Sequence, residues 1–420
     1  MKTHTTIRTT TTMLALLALS LIVPSVSGAA DAPDRVVFPT GEVSTDVQNV
    51  QAALDAGGTI RLKATNVSGM PTPFNFGTAA GVFISRDVAI LGETHHSDMT
   101  TIHGGVLPIR GFVPVQSKIR GIHFHEPRGT AVLIAASTGL TIDGNKITHS
   151  IGIPVGGFTQ AAGIHVEGDG KGAIAGTVLI KDNVIDQVDG EKGNGIEVLL
   201  LDAEARVTGN EIRGVNTNGI LVSGNTRPVW IEHNLVVPGP ERFPNVSAGN
   251  GISVTNLFAL QPQAPVYIRH NTVICDNPFA DGIALFQMDG MLITKNRVVM
   301  HNVLFGGISL YEDISNTYVG QNRVEGAGAY ALDVVFFGLG KSINQSNTFK
   351  GNNISTFQST IADVFLDFSG TVIDLDVDNP ITGFSNSGAD RASGDQISEA
   401  KKRKRELLLT SHSVEWPVNQ

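Results

Sequence analysis

The chain has 420 residues, of which 41% are hydrophobic and 16% are charged, with 47 glycines and a formal net charge of −9. The negative charge argues against nucleic acid as a partner, because a phosphate backbone attracts basic surfaces. Cys275 is the only cysteine, so an intrachain disulfide is excluded and the buried core must supply the stability.

The N-terminus has the pattern of an export signal. Lys2 and Arg8 are basic, residues 13–23 form a short apolar run, and residues 26–28 are small. An apolar run of about eleven residues is too short to span a bilayer, which requires about twenty. We therefore expect residues 1–28 to be a signal peptide cleaved near Gly28, no membrane span in the mature chain, and a secreted or periplasmic protein.

Residues 29–80 are expected to form an N-terminal cap and a first strand. Thr45 is predicted to cap a short helix, with Gln48 completing a capping box and Gly57 ending the helix. The alternating residues 59–62 then predict a strand. Such a cap would cover the exposed end of the stacked repeats that the sequence after it predicts.

Histidines are concentrated just after this cap, since five of the twelve lie within residues 95–125. His123 and His125 are two residues apart in an apolar alternation, so their imidazoles are predicted to share one strand face. Imidazole clusters bind copper or zinc. The segment is therefore a candidate metal site with His123 and His125 as ligands.

From about residue 129 to residue 347 one phrase recurs, an asparagine followed two residues later by Ile, Val or Phe. The copies begin at Asn145, Asn183, Asn210, Asn234, Asn271, Asn296, Asn322 and Asn347. Five of the seven intervals are near 25 residues and two are longer by about a dozen. A second phrase, Gly-Ile, falls between these copies, as at Gly163 and Gly195. A fixed period with self-similar content predicts stacked structural repeats.

Each repeat contains short runs in which Ile and Val alternate with polar residues, which is the pattern of strands with one buried face. We therefore predict an all-β solenoid with successive coils about 4.8 Å apart. The asparagines are predicted to stack above one another and to hydrogen-bond each other and the turn backbone. The repeat glycines are expected at turn positions with positive φ.

The Gly-Ile-x-Val and x-Ile-x-x-Asn-x-Val phrases resemble the right-handed parallel β-helix repeats of the pectin-lyase-like superfamily. The resemblance covers roughly residues 45–375. It implies a right-handed parallel β-helix with a short N-terminal capping helix, and it leaves the function open, because this fold hosts lyases, hydrolases, epimerases and adhesins. The resemblance also implies calcium as a candidate cofactor, because acidic β-helix enzymes often use it. It supports the candidate metal site as well, because some β-helix relatives are periplasmic copper-associated proteins.

The two long intervals indicate a groove. The coils around Gly163 and Gly251 are extended, and they flank two minimal coils around Gly195 and Gly219. Thick coils on either side of thin ones are predicted to wall a cleft across the strands, and such clefts suit linear polymers. The outward positions of the Gly-Ile strands would form the floor of this groove.

Three floor residues are the catalytic candidates. His165 and Glu197 are expected to be neighbours on adjacent coils, where the carboxylate would raise the imidazole pKa and orient the ring. Such a pair can abstract a proton beside a uronate carboxyl or protonate a leaving oxygen. Glu167 with Glu197 could instead form a paired-carboxylate hydrolase site. A surface His–Glu pair without function remains the alternative.

Four further residues are the candidates for substrate binding. Ser223 and Ser253 occupy later floor positions. Trp230 and Tyr267 are expected on one outward column of another strand series, where aromatic rings can stack on sugars or simply pack across strands.

Residues 81–384 are thus assigned to the β-helix and residues 385–420 to a polar, basic C-terminal tail. We expect an exported monomer that binds a polysaccharide in the groove, with cleavage or C5-epimerisation as the activities that its residues would support. The alternatives are a non-catalytic scaffold displayed at a surface and a periplasmic copper- or zinc-handling protein.

Overall fold

In a computed structural model of the chain, the described residues are 34–95, 98–155, 158–239, 249–256, 264–335, 343–366, 371–373, 376–378 and 384–385. The expected signal peptide and residues 386–420 of the expected tail lie outside them. The described residues contain one helix, α1 (Val43–Ala56), and otherwise strands and turns. That helix is too short and too polar to cross a membrane.

Strands account for most of the described chain. The strands of its first half are β1 (Arg35–Val37), β2 (Gly58–Leu62), β3 (Phe74–Ile84), β4 (Val88–Gly92), β5 (Thr94–His95), β6 (Asp98–Gly111), β7 (Gln116–Arg120), β8 (Ile122–His125), β9 (Thr130–Ile134), β10 (Gly139–Asp143), β11 (Lys146–Ile151), β12 (Ile153–Val155), β13 (Phe158–Glu167), β14 (Thr177–Lys181), β15 (Val184–Asp189), β16 (Lys192–Leu199), β17 (Glu204–Thr208) and β18 (Glu211–Val215).

The remaining strands belong to the second half of the chain. They are β19 (Ile220–Ser223), β20 (Val229–Glu232), β21 (Leu235–Val237), β22 (Ile252–Thr255), β23 (Val266–Arg269), β24 (Thr272–Cys275), β25 (Ile283–Phe286), β26 (Leu292–Thr294), β27 (Arg297–Tyr311), β28 (Tyr318–Gly320), β29 (Arg323–Val335), β30 (Ile343–Gln345), β31 (Thr348–Lys350), β32 (Phe357–Leu366), β33 (Thr371–Ile373), β34 (Asp376–Asp378) and β35 (Phe384–Ser385).

These strands build a parallel β-solenoid of about 11 turns, which confirms the predicted fold class. One sheet, which we call sheet A, has 13 strands in the order β1-β2-β4-β7-β10-β14-β17-β20-β23-β26-β28-β31-β34. A second sheet of 20 strands, sheet C, contains both the Asn-x-Val strands and the Gly-Ile strands. The two series are joined in sheet C because β27 and β29 run continuously through both positions.

The interior is a set of aliphatic stacks that run along the solenoid. In sheet A, one stack comprises Ile60, Ile90, Ile119, Ile142, Ile180, Val207, Ile231, Ile268, Ile293, Val319 and Phe349, all of them fully buried. Full burial of one such side chain contributes about 1.5–3 kcal/mol. The period-two alternation in the sequence therefore produces a continuous core instead of isolated hydrophobic pairs.

The predicted asparagine ladder is present, with one change at its end. From Asn145 to Asn322, each backbone N–H and side-chain amide donates to the Oδ1 of the next asparagine at 2.9–3.0 Å. The rung after Asn322 is Asn352, so the prediction of Asn347 was wrong. Asn347 instead precedes a strand of sheet A, where its Oδ1 accepts a bond from the Thr317 backbone.

The glycines of the Gly-Ile phrase are required for a different reason from the one predicted. Those at 195, 219, 251, 282 and 307 are not among the residues with positive φ. A Cβ at Gly251 would lie 2.1 Å from Val273 Cγ1 and 2.5 Å from the Gly282 carbonyl oxygen. The expectation of positive φ was therefore wrong for these positions, because close stacking of the coils leaves no room for a side chain.

The N-terminal helix begins earlier than predicted. Its N-cap is Glu42, which makes no side-chain capping bond, so the predicted Thr45–Gln48 capping box is wrong. The buried Asp46 carboxylate instead accepts bonds from the backbone N–H groups of Thr40 and Asn75. Gly57 ends the helix as predicted, with φ 72°. A buried acceptor that ties together three chain segments fixes the cap on the first coil more firmly than a local capping box would.

Candidate functional site

The candidate catalytic residues meet on two neighbouring Gly-Ile strands. β13 and β16 pair in parallel with His165 opposite Glu197, as the spacing predicted. His165 Nδ1 is hydrogen-bonded to a Glu197 carboxylate oxygen, and its Nε2 lies 2.9 Å from Glu167 Oε2. The ring thus links two carboxylates, one at each nitrogen. We call Glu197, His165 and Glu167 the carboxylate–imidazole relay.

The relay makes His165 a cation. Burial alone would lower the pKa of the His165 imidazole, but the Glu197 charge and the hydrogen bonds to Glu167 and Glu197 outweigh it and raise the pKa to about 9. At neutral pH both ring nitrogens therefore carry protons and donate them to carboxylates. His165 consequently has no unprotonated nitrogen with which to act as a base itself.

Only one member of the relay is accessible. The His165 side chain is completely buried and that of Glu197 is 2% exposed, whereas that of Glu167 is 27% exposed. The amide of Asn194 donates to the other Glu197 oxygen, which completes the bonding of the buried carboxylate. A substrate that approaches this face therefore meets the Glu167 carboxylate first.

The rest of the expected groove floor is not open. Leu221, Ser223 and Ser253 occupy the outward positions that the pattern predicts, but all three are buried. The expectation of a solvent-exposed floor was therefore wrong at these positions. Strand alternation determines which side of the sheet a side chain faces, but it does not determine whether other chain segments cover that side.

The segment expected to form one wall of the groove contains a hairpin. β12 pairs antiparallel with the start of β13, with Ile153 opposite Gln160, in the extended coil around Gly163. The wall predicted around Gly251 includes residues 240–248 and 257–263, which lie outside the described residues.

Two residues near the relay were missed in the sequence. Asn194 belongs to a second short ladder, because the Asn218 backbone N–H and side-chain amide both donate to its Oδ1 at 2.9 and 3.0 Å. Lys192 lies on the same strand, where burial lowers the pKa of its ammonium against the opposing effect of Glu191. Its Nζ lies 4.3 Å from the centre of the Phe158 ring. The available signal was the asparagine directly before Gly195, Gly219 and Gly251.

A second buried polar network lies further along the same sheet. Asp281 occupies the position before Gly-Ile that asparagine fills in earlier coils, and Tyr311 Oη donates to it at 2.9 Å. Ser309 Oγ lies 3.0 Å from Asp281 and 2.5 Å from Asp333. Burial, together with the charges of Asp281 and Asp333, raises the pKa of Tyr311, so its hydroxyl stays protonated. This network was not predicted, because apart from Ser309 and Tyr311, which share a strand, its members are 22 to 52 residues apart in the chain.

The aromatic candidates lie on another sheet. Trp230 pairs in register with Tyr267 in sheet A, and their rings stack with centroids 5.6 Å apart and planes at 17°. Arg206 covers the Trp230 ring from the preceding coil at 4.5 Å. Both aromatic side chains are partly exposed. They therefore lie on a different sheet from the carboxylate–imidazole relay, which belongs to sheet C.

The predicted metal-binding histidines lie close together, but the best ligand set differs from the predicted pair. His103, His125 and Glu126 offer ligand atoms that all lie within 4.8 Å of one another, the one such group among the described residues. His123 is adjacent, and its Nε2 lies 2.9 Å from Thr148 Oγ1. Burial, followed by the charges of Lys146 and His125, lowers the pKa of His123 to about 4.

Three solved structures resemble the chain at low sequence identity. The A-module of a mannuronan C-5 epimerase from Azotobacter vinelandii is 12% identical, with a TM-score of 0.45, over 79% of this chain and 95% of that one. A periplasmic alginate epimerase is 12% identical, with a TM-score of 0.48, over 77% of each chain. A surface adhesin of Streptococcus pneumoniae is 13% identical, with a TM-score of 0.44, over 80% and 89%. Similarity at this level carries no argument about function.

No curated protein sequence matches the chain. The family described as "Right handed beta helix region" matches three overlapping stretches, residues 75–236, 111–273 and 194–373. Together these stretches span residues 75–373, which is well over half of the 420 residues. The chain therefore belongs to the right-handed β-helix family.

Proposed function

We propose that this protein is an exported β-helix protein that binds an acidic polysaccharide and transfers a proton on it at Glu167. The observation that carries the proposal is the carboxylate–imidazole relay, in which a buried imidazolium holds one buried and one accessible carboxylate. Export rests on the signal pattern of residues 1–28.

The relay assigns a different role to each member. Glu167 is the accessible carboxylate, so it exchanges the proton with the substrate. His165 donates Nε2–H to Glu167 and fixes its orientation, which makes His165 a positioning residue. Glu197 keeps the imidazole charged and correctly turned, as carboxylates do for oriented histidines in other sites.

The accessibility of the two carboxylates favours one reaction class. Hydrolysis by paired carboxylates requires both groups beside the scissile bond. Glu197 lies behind the imidazole and is 2% exposed, so it cannot reach a glycosidic oxygen in this structure. A single accessible carboxylate fits abstraction of the proton beside a uronate carboxyl. The resulting carbanion undergoes elimination when the C4–oxygen bond breaks and the departing glycosidic oxygen takes a proton from water or from the Glu167 carboxyl group, and it undergoes C5-epimerisation when water protonates C5 from the opposite face. The proposed substrate is therefore a polyuronate.

The test uses the purified mature chain on polymannuronate, polyguluronate and polygalacturonate, with and without calcium. Unsaturated uronate ends report elimination, and inverted C5 centres observed by NMR report epimerisation. We expect Glu167→Gln to lower the rate on the order of 10²- to 10⁴-fold. The control is Glu232→Gln, which removes a carboxylate paired with Arg269 on sheet A and should leave the rate unchanged.

Three results would contradict the proposal. Full activity of Glu167→Gln would remove Glu167 as the reacting group. New reducing ends without unsaturated ends would indicate hydrolysis. That result would support the alternative hypothesis that Glu167 and Glu197 form a paired-carboxylate hydrolase site. Absence of turnover on every polyuronate would contradict the catalytic function.

A second function is supported by the burial of Leu221, Ser223 and Ser253. A β-helix whose outward Gly-Ile positions are covered can act as a rigid, non-catalytic scaffold at a surface. In that case His165→Asn would lower the stability of the protein, and no variant of the relay would affect any reaction.

A further inference from the structure

We propose that His103, His125 and Glu126 form a binding site for a borderline divalent transition-metal cation, of the class to which zinc and copper belong. The site lies at the N-terminal end of the solenoid and is separate from the carboxylate–imidazole relay in sequence and in coil. It differs from the sequence-based prediction in its ligands, because His103 and Glu126 replace His123.

The coil register brings the three ligands together. β6 and β8 pair in parallel with His103 opposite His125, and the two imidazole centroids are 5.3 Å apart. Glu126 follows His125 directly at the end of β8. The site therefore depends on stacking of two coils about 4.8 Å apart, a spacing that allows two imidazoles to share one ion.

The distances suit a small cation. All three ligand atoms lie within 4.8 Å of one another, and His125 Nε2 is already 3.8 Å from Glu126 Oε1. Metal–ligand bonds of about 2.0–2.1 Å in a tetrahedron place ligand atoms about 3.4 Å apart. Closing the remaining ångström or so requires only side-chain rotations, because all three residues are partly exposed.

The next coil orients the central ligand. His125 pairs in register with Thr148, and His125 Nδ1 lies 3.1 Å from Thr148 Oγ1. This contact occupies Nδ1 and turns Nε2 toward Glu126. Metal-bound histidines use such a partner on the second nitrogen, and losing it weakens metal affinity.

His123 is not part of the ligand set, because its ring nitrogens are not among the ligand atoms that lie within 4.8 Å of one another. Its Nε2 lies 2.9 Å from the same hydroxyl, Thr148 Oγ1. The ligands are therefore the two histidines and the Glu126 carboxylate.

The ligand types determine which ions fit. Two imidazoles and one carboxylate suit zinc, copper and nickel, whereas calcium takes six to eight oxygen ligands. The carboxylate neutralises one of the two charges of the ion, and the partial exposure leaves a coordination position for water. Calcium is therefore not expected to bind here.

The experiment is calorimetric titration of the full chain, freed of metal with a chelator, with zinc sulfate, copper sulfate and calcium chloride separately. We expect one zinc or copper site, with no calcium binding that depends on these residues. His125→Ala and Glu126→Gln should each weaken zinc affinity at least about 10-fold, and Thr148→Val about 10- to 100-fold. Copper EPR of the unmodified chain should show nitrogen coordination that His125→Ala removes.

The chain supplies a matched control. His233 and His270 lie on consecutive coils with rings stacked 5.0 Å apart, and no carboxylate of the described residues joins them in a potential metal-binding group. His233→Ala should leave zinc affinity unchanged. Equal loss in this variant, unchanged binding by His125→Ala with its thermal unfolding preserved, or only millimolar zinc affinity would each overturn the proposal. No polysaccharide is present in the titration, so its outcome is independent of the proposed function.

Discussion

The protonation of His165 should be visible in the stability of the whole protein. The folded protein raises the pKa of this imidazole from its ordinary value of 6.5 to about 9. A group whose pKa is raised on folding contributes stability that is complete below the unfolded pKa and is lost as the pH rises through the folded pKa. The contribution of His165 should therefore be full at about pH 6 and absent above about pH 9.

The size of the effect follows from the difference between the two pKa values. Each pKa unit corresponds to about 1.4 kcal/mol, so the difference between 6.5 and about 9 corresponds to roughly 3 kcal/mol. The His165 side chain is completely buried between two carboxylates, so solvent screens this interaction little. A loss of this size is a large fraction of the stability of an ordinary domain.

The measurement is urea unfolding at several pH values from about 6 to about 10, for the unmodified chain and for His165→Asn. Subtracting the variant from the unmodified chain removes the titration of other groups. We expect the difference in unfolding free energy to shrink with rising pH. A difference that stays constant across this range would refute the assignment of a buried imidazolium, and with it the relay.

Two further predictions concern the repeat itself. Asn234→Ala removes four side-chain hydrogen bonds of the ladder. The Asn210 N–H and the Val207 carbonyl lose their ladder partner, whereas Asn210 Nδ2 and Asn271 Oδ1 keep other partners. At about 1–3 kcal/mol for each of the two groups that lose a partner, the unfolding free energy should fall by about 2 kcal/mol or more. Asn49→Ala, the same change on an exposed helical position, should alter it by less than about 0.5 kcal/mol, and equal effects would contradict the ladder argument. Gly251→Ala places a Cβ 2.1 Å from Val273 Cγ1 and should cost about 1–3 kcal/mol in urea unfolding, whereas an unchanged midpoint would show that the coils can separate there.

The ladder shows how far a periodic pattern can be taken. Seven of its rungs follow from spacing alone, because each coil repeats the same turn and the next asparagine lands on it. The eighth does not, because the coil after Asn322 is irregular and Asn347 falls before a sheet A strand. When the length of a coil changes, the sequence does not show which of two nearby asparagines, here Asn347 or Asn352, continues the ladder.

Only part of the carboxylate–imidazole relay could be predicted from the sequence. The adjacency of His165 and Glu197 follows from the positions of the two residues directly after Gly163-Ile164 and Gly195-Ile196, since the two Gly-Ile strands pair in parallel and in register. The supporting amide of Asn194 and the burial of His165 did not follow. Both depend on what the neighbouring segments place over the strand, and alternation carries no information about that.

The sequence by itself determined the repeat and the class of fold. It also determined which residues of successive coils stack on one another in a column, because these features depend on local alternation and a fixed period. Only the tertiary structure decided the exposure of each column and the grouping of columns into sites. It buried Ser223 and Ser253, and it joined His103 to His125 and Glu126. The physical reason is that a solenoid orders its residues along one axis by sequence, whereas contacts around that axis depend on how each coil bends.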